Sequence, residues 1–261
     1  MRKVKNIVIR IFRKLGIYPT LLLSKVEFFT ALSFLRPINN GHELIRIGAT
    51  SDGGYLVPND LSGIAACISP GVADTMDFEL DIWEKFKIPS LMYDASVEAP
   101  NSLNSGQKFI KKFVGASSTG SFVSMHEIIS TDLESQNGDL IGQIDIESAE
   151  YAFLASSSDV DLKRFRILVV EFHEIDRWIQ KKYYFEIIEP LFVRLFTLFD
   201  LVHAHPNNNG GVFKYKGKTV PNVIELTFHR KDRLIDNLGY AKLPHKLDYQ
   251  NVKGKKSIYL D

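Results

Sequence analysis

Acidic and imidazole side chains follow two apolar runs in the second half of the chain, at the point where each run ends. Residues 138–144 end on Asp145, and residues 165–170 end on Glu171 and His173. Short apolar runs of this length predict buried strands. In open α/β sheets, ligands bind at the carboxyl ends of the parallel strands. We therefore expect these three side chains at one edge of a sheet, where they can exchange protons with a ligand.

Two histidines are candidates for a general base, because imidazole titrates near neutral pH. His173 and His205 each come at the end of a predicted strand. His203 lies two residues before His205, so both side chains point to the same face of that strand and could act as a pair. The alternative role for each histidine is a structural hydrogen bond to a neighbouring backbone carbonyl.

The same acids also suit a divalent cation that lowers the pKa of an acceptor hydroxyl. Asp145 and Glu171, with one of the two histidines, would supply its oxygen and nitrogen ligands. The sequence does not separate this arrangement from a metal-free base. The neighbouring acids Glu147 and Glu150 could simply cap a helix or pair with lysines.

A glycine turn between a predicted strand and a predicted helix indicates a nucleotide-like ligand. Residues 64–68 form the strand, Ser69 and Gly71 lie in the turn, and residues 75–86 form the helix with Thr75 as its N-cap. Backbone amides at a helix N-terminus can bind such a ligand. A dinucleotide-binding loop has three glycines and this turn has one, so pyrophosphate binding is disfavoured.

The next predicted strand, residues 89–94, ends on an acid. Two carboxylate oxygens match the two hydroxyls of a ribose, so Asp94 at this strand end can bind an adenosine. Residues 108–117 predict a third strand, which ends at Ser117. The pairing of the Gly71 turn with Asp94 is more specific than either feature alone.

Residues 44–58 predict two short strands around a tight turn. The turn contains Asp52, Gly53 and Gly54, and Tyr55 follows it. Adjacent glycines permit positive φ and let a ligand approach the backbone closely. The segment is either a functional loop or simply a hairpin.

The C-terminal part of the chain predicts the far side of the sheet. Residues 183–198 form an amphipathic helix that Pro190 should kink or break. Residues 201–205 and 221–230 form two strands, and no crossover helix fits between them, so they should pair as an antiparallel hairpin. The polar tail after Lys231 is expected to cap the sheet or to fray.

The composition is that of an ordinary soluble globular protein. Its 261 residues are sufficient for one α/β domain. A net charge of +1 gives no general attraction to nucleic acid, so no nucleic-acid partner is expected. The single cysteine, Cys67, excludes an intramolecular disulfide and suits a reducing cytoplasm. We expect no signal peptide or spanning segment, because charged residues interrupt the N-terminal apolar stretches.

The N-terminus predicts a basic amphipathic helix over residues 2–15. Apolar residues recur there at helical spacing, with lysines and arginines on the remaining faces. Such a helix can lie on an anionic membrane surface, or it can pack on the domain or on a second subunit in a dimer. We divide the chain into a helical extension, residues 1–40, and a globular domain, residues 41–261.

Several segments together resemble an FkbM-type S-adenosylmethionine-dependent methyltransferase. They are ISPGVADTMDFE, the strand end at Asp94, QIDIESAEYAFL, VVEFHEI and the terminal hairpin, and the resemblance covers residues 45–230. The family hallmark is similar to K-x-D-x-E-G-x-E, and here Gln143 replaces the usual lysine and Ser148 the usual glycine. RIGATSDGGYLVP and HAHPNNNGG resemble segments found in a subset of the family.

The resemblance implies a Rossmann-like, seven-stranded methyltransferase sheet that ends in an antiparallel hairpin. It also implies methyl transfer to oxygen, often on a sugar or polyketide hydroxyl. It places S-adenosyl-L-methionine near Ser69 and Gly71 (methionine end), Asp94 (ribose) and Ser117 (adenine side), with Asp145 close to the sulfonium. We further expect the loop at residues 52–55 to close over this cofactor.

Two other classes of protein fit parts of the sequence. A nicotinamide-dependent oxidoreductase could use Asp94 equally well, but the single-glycine turn and the lack of a Tyr-x-x-x-Lys pair argue against it. A membrane-surface or scaffolding protein would depend on residues 2–15. For a cytoplasmic methyltransferase, we expect a small-molecule or nucleotide-sugar acceptor, such as a surface-polysaccharide precursor, because Tyr183, Tyr184 and residues 207–209 could stack on and hydrogen-bond a sugar.

Overall fold

The computed structural model describes residues 20–72, 75–134 and 137–260, and a seven-stranded β-sheet lies at its centre. In chain order, the strands are β1 (Leu44–Gly48), β2 (Gly54–Pro58), β3 (Ile64–Pro70), β4 (Ser90–Tyr93), β5 (Gln107–Ile110), β6 (Phe113–Val114), β7 (Phe122–Val123), β8 (Asp139–Ile144), β9 (Phe165–Phe172), β10 (Phe199–Pro206), β11 (Val212–Tyr215), β12 (Lys218–Pro221) and β13 (Ile224–Arg230).

The central sheet has the strand order β10-β13-β9-β8-β3-β4-β5. Strand β13 is antiparallel to both of its neighbours, and the other pairs are parallel. The carboxyl ends of β3, β4, β8 and β9 therefore lie at one edge, which we call the ligand edge. The predicted α/β class and the antiparallel pairing of the last two strands of the sheet are confirmed.

Helices cover the sheet and connect its strands. The α-helices are α1 (Lys25–Ser33), α2 (Asp77–Phe86), α3 (Met125–Glu127), α4 (Glu150–Ser156), α5 (Asp159–Leu162), α6 (Lys181–Tyr183) and α7 (Glu189–Leu198). Short π-helical segments follow α3 and α6, at Ile128–Asp132 and Tyr184–Ile188, and 3-10 turns lie at Ile175–Ile179 and Lys231–Arg233.

Local chemistry accounts for most helix boundaries. Helix α1 begins with a capping box, in which the Ser24 hydroxyl accepts from the Glu27 amide and the Glu27 carboxylate accepts from the Ser24 amide. The predicted Thr75 N-cap is wrong, because α2 begins after Met76 and has no side-chain cap. Pro190 lies in the first turn of α7, directly after the π-helical segment, so the predicted long helix is interrupted there.

Two further predictions differ from the structure in detail. Residues 108–117 do not form one strand, because the chain leaves the central sheet after β5 and continues as the short strand β6. The segment between β10 and β13 contains an additional antiparallel hairpin, β11-β12, which was not predicted. Both segments are short and partly exposed, so their apolar pattern is weak.

The described part of the N-terminal extension packs into the main core. Leu23, Phe28, Ala31 and Leu35 are buried in the same cluster as the central sheet. The predicted amphipathic helix at residues 2–15 lies outside the described residues, so its membrane or dimer contact stays a prediction. Among the helices that the structure describes, none is both long enough and apolar enough to cross a bilayer.

Candidate functional site

Cross-strand register brings three polar side chains into one row at the ligand edge. His205 of β10 pairs with Glu225 of β13, and Glu225 pairs with Glu171 of β9. On the other side of β9, Ile144 is the last paired residue of β8, so Asp145 follows beside Glu171. Neighbouring strands are about 4.8 Å apart, so His205 lies about 10 Å from Glu171 and further still from Asp145.

His173 follows β9 and is surrounded by carboxylates. Its backbone N–H donates to Oε1 of Glu150 at 2.7 Å, and its Nδ1 lies 3.3 Å from the same oxygen. Its Nε2 lies 3.8 Å from both Asp145 Oδ1 and Glu171 Oε1, and 3.6 Å from Glu147 Oε2. Glu150 therefore fixes the orientation of the imidazole, and Nε2 faces the acids.

The position of Glu150 was not anticipated from the sequence. Its side chain is fully buried and contacts His173, so it does not pair with a lysine at the surface. Two residues at positive φ, Glu147 (49°) and Ser148 (77°), form the turn that places Glu150 at the start of α4. The hallmark glycine that Ser148 replaces would adopt this conformation without strain.

Burial changes the protonation of the acids in this row. It raises the pKa of Asp145 to about 7, although the nearby imidazole of His173 opposes the shift. It also raises the pKa of Glu171 well above its usual range, and the charge of Asp145 adds to that effect. The pKa of Glu225 rises to about 7 through burial, against the influence of His205. Asp145 and Glu225 are therefore poised to gain or lose a proton near neutral pH.

The protonation of His173 is set by opposing effects. Burial disfavours the imidazolium, but the hydrogen bond and charge of Glu150, together with the charges of Asp145 and Glu147, raise the imidazole pKa above its ordinary value. The imidazole and the carboxylates thus share protons as one coupled group.

Two asparagines tie the acids to the hairpin loop and to the C-terminal tail. Asn207 Nδ2 donates to Glu171 Oε1 at 2.8 Å and lies 3.5 Å from Asp52 Oδ1. Asn251 Nδ2 donates to Asp52 Oδ1 at 2.9 Å and to Glu225 Oε1 at 2.6 Å. The tail therefore caps this edge of the sheet through a side chain that enters the acid row.

A cavity of about 490 Å³ opens beside Asp145, at the carboxyl ends of β3 and β4. We call it the strand-end cavity. Its lining includes Gly71, Asp94, Asp145 and the rings of Phe113 and Phe122. The structure thus brings together Gly71, Asp94 and Asp145, which lie far apart in the sequence.

Gly71 is required by a close approach of two backbones. A Cβ atom at this position would lie 1.5 Å from the carbonyl oxygen of Asp145, and the φ of Gly71 is +85°. Asp94 is held at the rim of the strand-end cavity, since its Oδ1 accepts from the amide and the hydroxyl of Ser96 at 2.8 Å and 2.6 Å.

Two of the residues predicted to contact the cofactor, Ser69 and Ser117, do not line the strand-end cavity. Ser117 lines a different cavity, formed around α3, and so it is separated from Asp94. Ser69 is completely buried, and its hydroxyl bonds Gln143 Oε1 at 2.7 Å and the carboxylate of Glu79. Sequence reasoning placed both residues at strand ends but could not show where their side chains point.

The loop at residues 52–55 contacts the ligand edge both through Asp52 and through Tyr55. Asp52 reaches the asparagine network, whereas Tyr55 is buried beneath it and accepts from Gln143 Nε2 at 3.2 Å. Gly54 packs tightly, because a Cβ there would lie 1.9 Å from the carbonyl oxygen of Ala49. Gly53 is less confined, with a Cβ position 3.6 Å from the Thr75 hydroxyl.

His203 and His205 do point to the same face, as predicted, but they face the tail. Nε2 of His203 lies 3.0 Å from Asp248 Oδ1, and Nδ1 of His205 lies 3.7 Å from the same oxygen. Burial opposes protonation of His205, yet Asp248 and Glu225 raise its pKa. His205 therefore belongs to a group separate from His173, and the two do not converge on one reacting atom.

Three residues of the site were missed at the sequence level. Glu225 did leave a signal, because it is an acid within an otherwise apolar strand whose two faces are both buried. Asp248 and Asn251 left none, since they lie in an irregular tail whose path depends on tertiary contacts.

The described residues contain three groups whose side chains could hold a metal ion. They are Asp145, Glu171 and His173; Asp52, Glu171 and Glu225; and His42, Asp60 and His229. The first two groups share Glu171 and lie at the ligand edge.

None of the protein-family models, curated proteins or solved structures that we compared with the chain matches it. The functional argument therefore depends on the residues themselves and on their geometry.

Proposed function

We propose that this protein is an S-adenosylmethionine-dependent O-methyltransferase. The observation that carries the proposal is the strand-end cavity, in which Gly71, Asp94 and Asp145 meet beside the imidazole of His173. The seven-stranded sheet is compatible with a Rossmann-like methyltransferase fold and, as the resemblance implies, it ends in an antiparallel pair.

The residues of the strand-end cavity fit this cofactor. Its volume is within the usual range for small-molecule sites. The buried carboxylate of Asp94 can accept hydrogen bonds from ribose hydroxyls. Phe113 and Phe122 lie with their ring centroids 5.5 Å apart and present apolar surface for the adenine. The acids around Asp145 complement a positively charged sulfonium.

When bound, S-adenosylmethionine supplies a methyl group activated by its sulfonium sulfur. The protein must then hold the acceptor hydroxyl in line and take up its proton. Nε2 of His173 is oriented for this task by Glu150, and a divalent cation that lowers the hydroxyl pKa is the other route. His205 is not the base in this proposal, because it faces Asp248 across the sheet.

A sugar or surface-polysaccharide precursor remains the acceptor that we propose, and this choice depends on the family resemblance alone. Tyr184 is buried in the core, and Asn207 and Asn208 are buried and hydrogen-bonded within the protein. Of the other side chains expected to contact a sugar, Tyr183 is half-buried and Asn209 is exposed.

Cofactor titration tests the proposal directly. S-adenosylmethionine should bind the full chain in isothermal calorimetry, and NAD and NADP should not. Asp94→Asn should weaken cofactor binding by about 10- to 100-fold, because it loses charge-assisted hydrogen bonds of about 1.5–3 kcal/mol. Glu186→Gln, at an exposed site that does not line the strand-end cavity, is the control and should bind normally.

Methyl transfer is then measured with labelled cofactor and a set of nucleotide-activated sugars. Binding of a nicotinamide cofactor in preference to S-adenosylmethionine would replace the proposal with the oxidoreductase alternative. Binding of neither cofactor at millimolar concentration would overturn it.

A further inference from the structure

We propose that Asp145, Glu171 and His173 bind a divalent cation, Mn²⁺ or Mg²⁺, beside the strand-end cavity. Their ligand atoms all lie within 4.8 Å of one another. The two distances of 3.8 Å from His173 Nε2 to the carboxylate oxygens are too long for hydrogen bonds. In an octahedral site with bonds of about 2.1 Å, adjacent ligand atoms are about 3.0 Å apart and opposite ones about 4.2 Å. The observed 3.8 Å lies between these values, so a shared ion would need shifts of less than about 1 Å in these side chains.

Buried oxygens that lack a donor are an independent indication of a missing partner. The Glu171 side chain is only 5% exposed, and its Oε2 has no hydrogen-bond partner among the described residues. Oδ1 of Asp145 is also buried and without a hydrogen-bond partner in the described part of the chain. Leaving such an oxygen unpaired costs about 1–3 kcal/mol, and more when it is charged. Oε1 of Glu171 already accepts from Asn207, so Oε2 is the oxygen of this carboxylate that is left for a cation, together with Oδ1 of Asp145.

The orientation of His173 suits metal ligation. Its Nδ1 faces Oε1 of Glu150, so a proton on Nδ1 leaves the lone pair on Nε2 directed at Asp145 and Glu171. This is the carboxylate–histidine–metal arrangement, in which the outer carboxylate fixes the tautomer of the ligating imidazole. One imidazole with two carboxylates favours Mn²⁺ over Ca²⁺ or Mg²⁺, which bind oxygen almost exclusively.

The overlapping group of Asp52, Glu171 and Glu225 is a poorer site. The side-chain amides of Asn207 and Asn251 already donate to an oxygen of each of these carboxylates. These N–H donors occupy the space between the acids and would repel a cation.

The third group, at the other edge of the sheet, is excluded by its charges. Arg233 donates two hydrogen bonds to Asp60, and Arg166 lies 3.3 Å from the same carboxylate. His229 uses both ring nitrogens, one with Asn40 and one with Asp60. A cation there would compete with two arginines.

The catalytic role of the cation rests on the proposed function, whereas binding of the cation can be measured whether or not the protein is a methyltransferase. In a methyltransferase, a cation at this position would lower the pKa of the acceptor hydroxyl and align it for transfer. His173 would then be a metal ligand, and the proton of the acceptor hydroxyl would pass to water instead of to Nε2 of His173.

Equilibrium dialysis and electron paramagnetic resonance with Mn²⁺, on the metal-free full chain, test the site. We expect one Mn²⁺ per chain, with nitrogen coupling from an imidazole. Glu171→Gln, Asp145→Asn and His173→Gln should each weaken binding at least tenfold, and the nitrogen signal should disappear in His173→Gln. Glu225→Gln, which changes only the second acid group, and Glu79→Gln, a buried glutamate outside both groups, should bind Mn²⁺ normally.

Each outcome has a defined meaning. Either of two results would overturn the proposal. The first is the absence of Mn²⁺ binding at 1 mM, a concentration that corresponds to a binding free energy of about 4 kcal/mol. The second is loss of Mn²⁺ binding in Glu225→Gln together with normal binding in His173→Gln. Circular dichroism and urea denaturation of every variant show that it is folded. If the protein binds no Mn²⁺ and methyl transfer persists in the presence of a chelator, the cation site is wrong and the proposed methyltransferase function stands. If the protein binds Mn²⁺ but not S-adenosylmethionine, the cation site stands and the proposed methyltransferase function is wrong.

Discussion

Substitution of Glu150 by glutamine tests whether this buried acid sets the charge of His173. The glutamine keeps the size of the side chain, and its oxygen can still accept from the His173 backbone amide, which donates to Glu150 at 2.7 Å. Only the negative charge beside Nδ1 is lost. We therefore expect the pKa of the imidazole to fall in Glu150→Gln.

The magnitude follows from burial. Glu150 is fully buried and the His173 side chain is 12% exposed, so water screens the pair weakly. A hydrogen bond to a charged group contributes about 1.5–3 kcal/mol, and Glu150→Gln should lose about this much when His173 is protonated. Because the folded-state pKa of His173 is raised, its stabilising effect is complete below its ordinary pKa of about 6.5 and is lost as pH rises through the folded value. The destabilisation should therefore be largest at low pH and shrink in alkali.

The assay combines urea denaturation at several pH values between 5.5 and 9 with an NMR titration of the His173 ring. Glu79→Gln is the comparison variant for the NMR titration, because Glu79 is also buried but bonds Ser69 instead of the imidazole, and it should leave the titration of His173 unchanged. If the stability curves of Glu150→Gln and the wild type run parallel over this range, or if the imidazole titrates at the same pH in both, our account of the pair is wrong.

Three further substitutions have defined outcomes. Burial raises the pKa of Glu79, so the protonated side chain stabilises the fold below pH 4.5 and this stabilisation is lost as pH rises. Glu79→Gln should therefore become more stable relative to the wild type as pH rises to 8, as measured by urea denaturation. Ser148→Gly should raise the free energy of unfolding by about 0.5–1 kcal/mol, because φ is +77°, and an unchanged or lower melting temperature would contradict the inferred strain. Asp248→Asn should lower the pKa of His205 in an NMR titration and cost about 1–3 kcal/mol near pH 6, while the His173 titration stays the same.

Strands β3, β4, β8 and β9 were predictable because each is a short, mostly apolar run that is followed by a turn or a polar residue. Asp94, Asp145 and Glu171 could therefore be placed at one edge before any coordinates were considered. The direction of a side chain beyond the strand end was not predictable, since it depends on turn geometry. Ser117 and His205 illustrate this limit: both lie near strand ends, yet one lines a separate cavity and the other faces the tail.

The tail shows a second limit of sequence reasoning. It was expected to cap the sheet or fray, and its polar composition gives no periodicity from which a path could be read. In the structure it places Asp248 between two histidines and Asn251 between two acids. Contacts of this kind join residues about 200 positions apart, as between Asn251 and Asp52.

Structural costs are more frequent at the ligand edge than in the rest of the described fold, and this supports the proposed binding role independently of the family resemblance. Among the described residues, five non-glycine residues have positive φ, and three of them, Glu147, Ser148 and Glu174, lie in the two turns that flank His173. The other two, Lys87 and Lys216, occupy a helix C-cap and a hairpin turn, where this conformation is common.

Unpaired buried oxygens are concentrated at the same place. Those at the ligand edge belong to Asp145, Glu150, Glu171 and Asn251. Strained backbone and unpaired polar atoms each reduce stability by about 1–3 kcal/mol, and a fold retains them where a ligand or a reaction makes use of them. A purely structural edge would gain stability by replacing these acids with apolar residues, such as those of β9 from Ile167 to Val170. The acids, the strained turns and the adjacent cavity at this edge are the features that the proposed sulfonium and divalent-cation sites require.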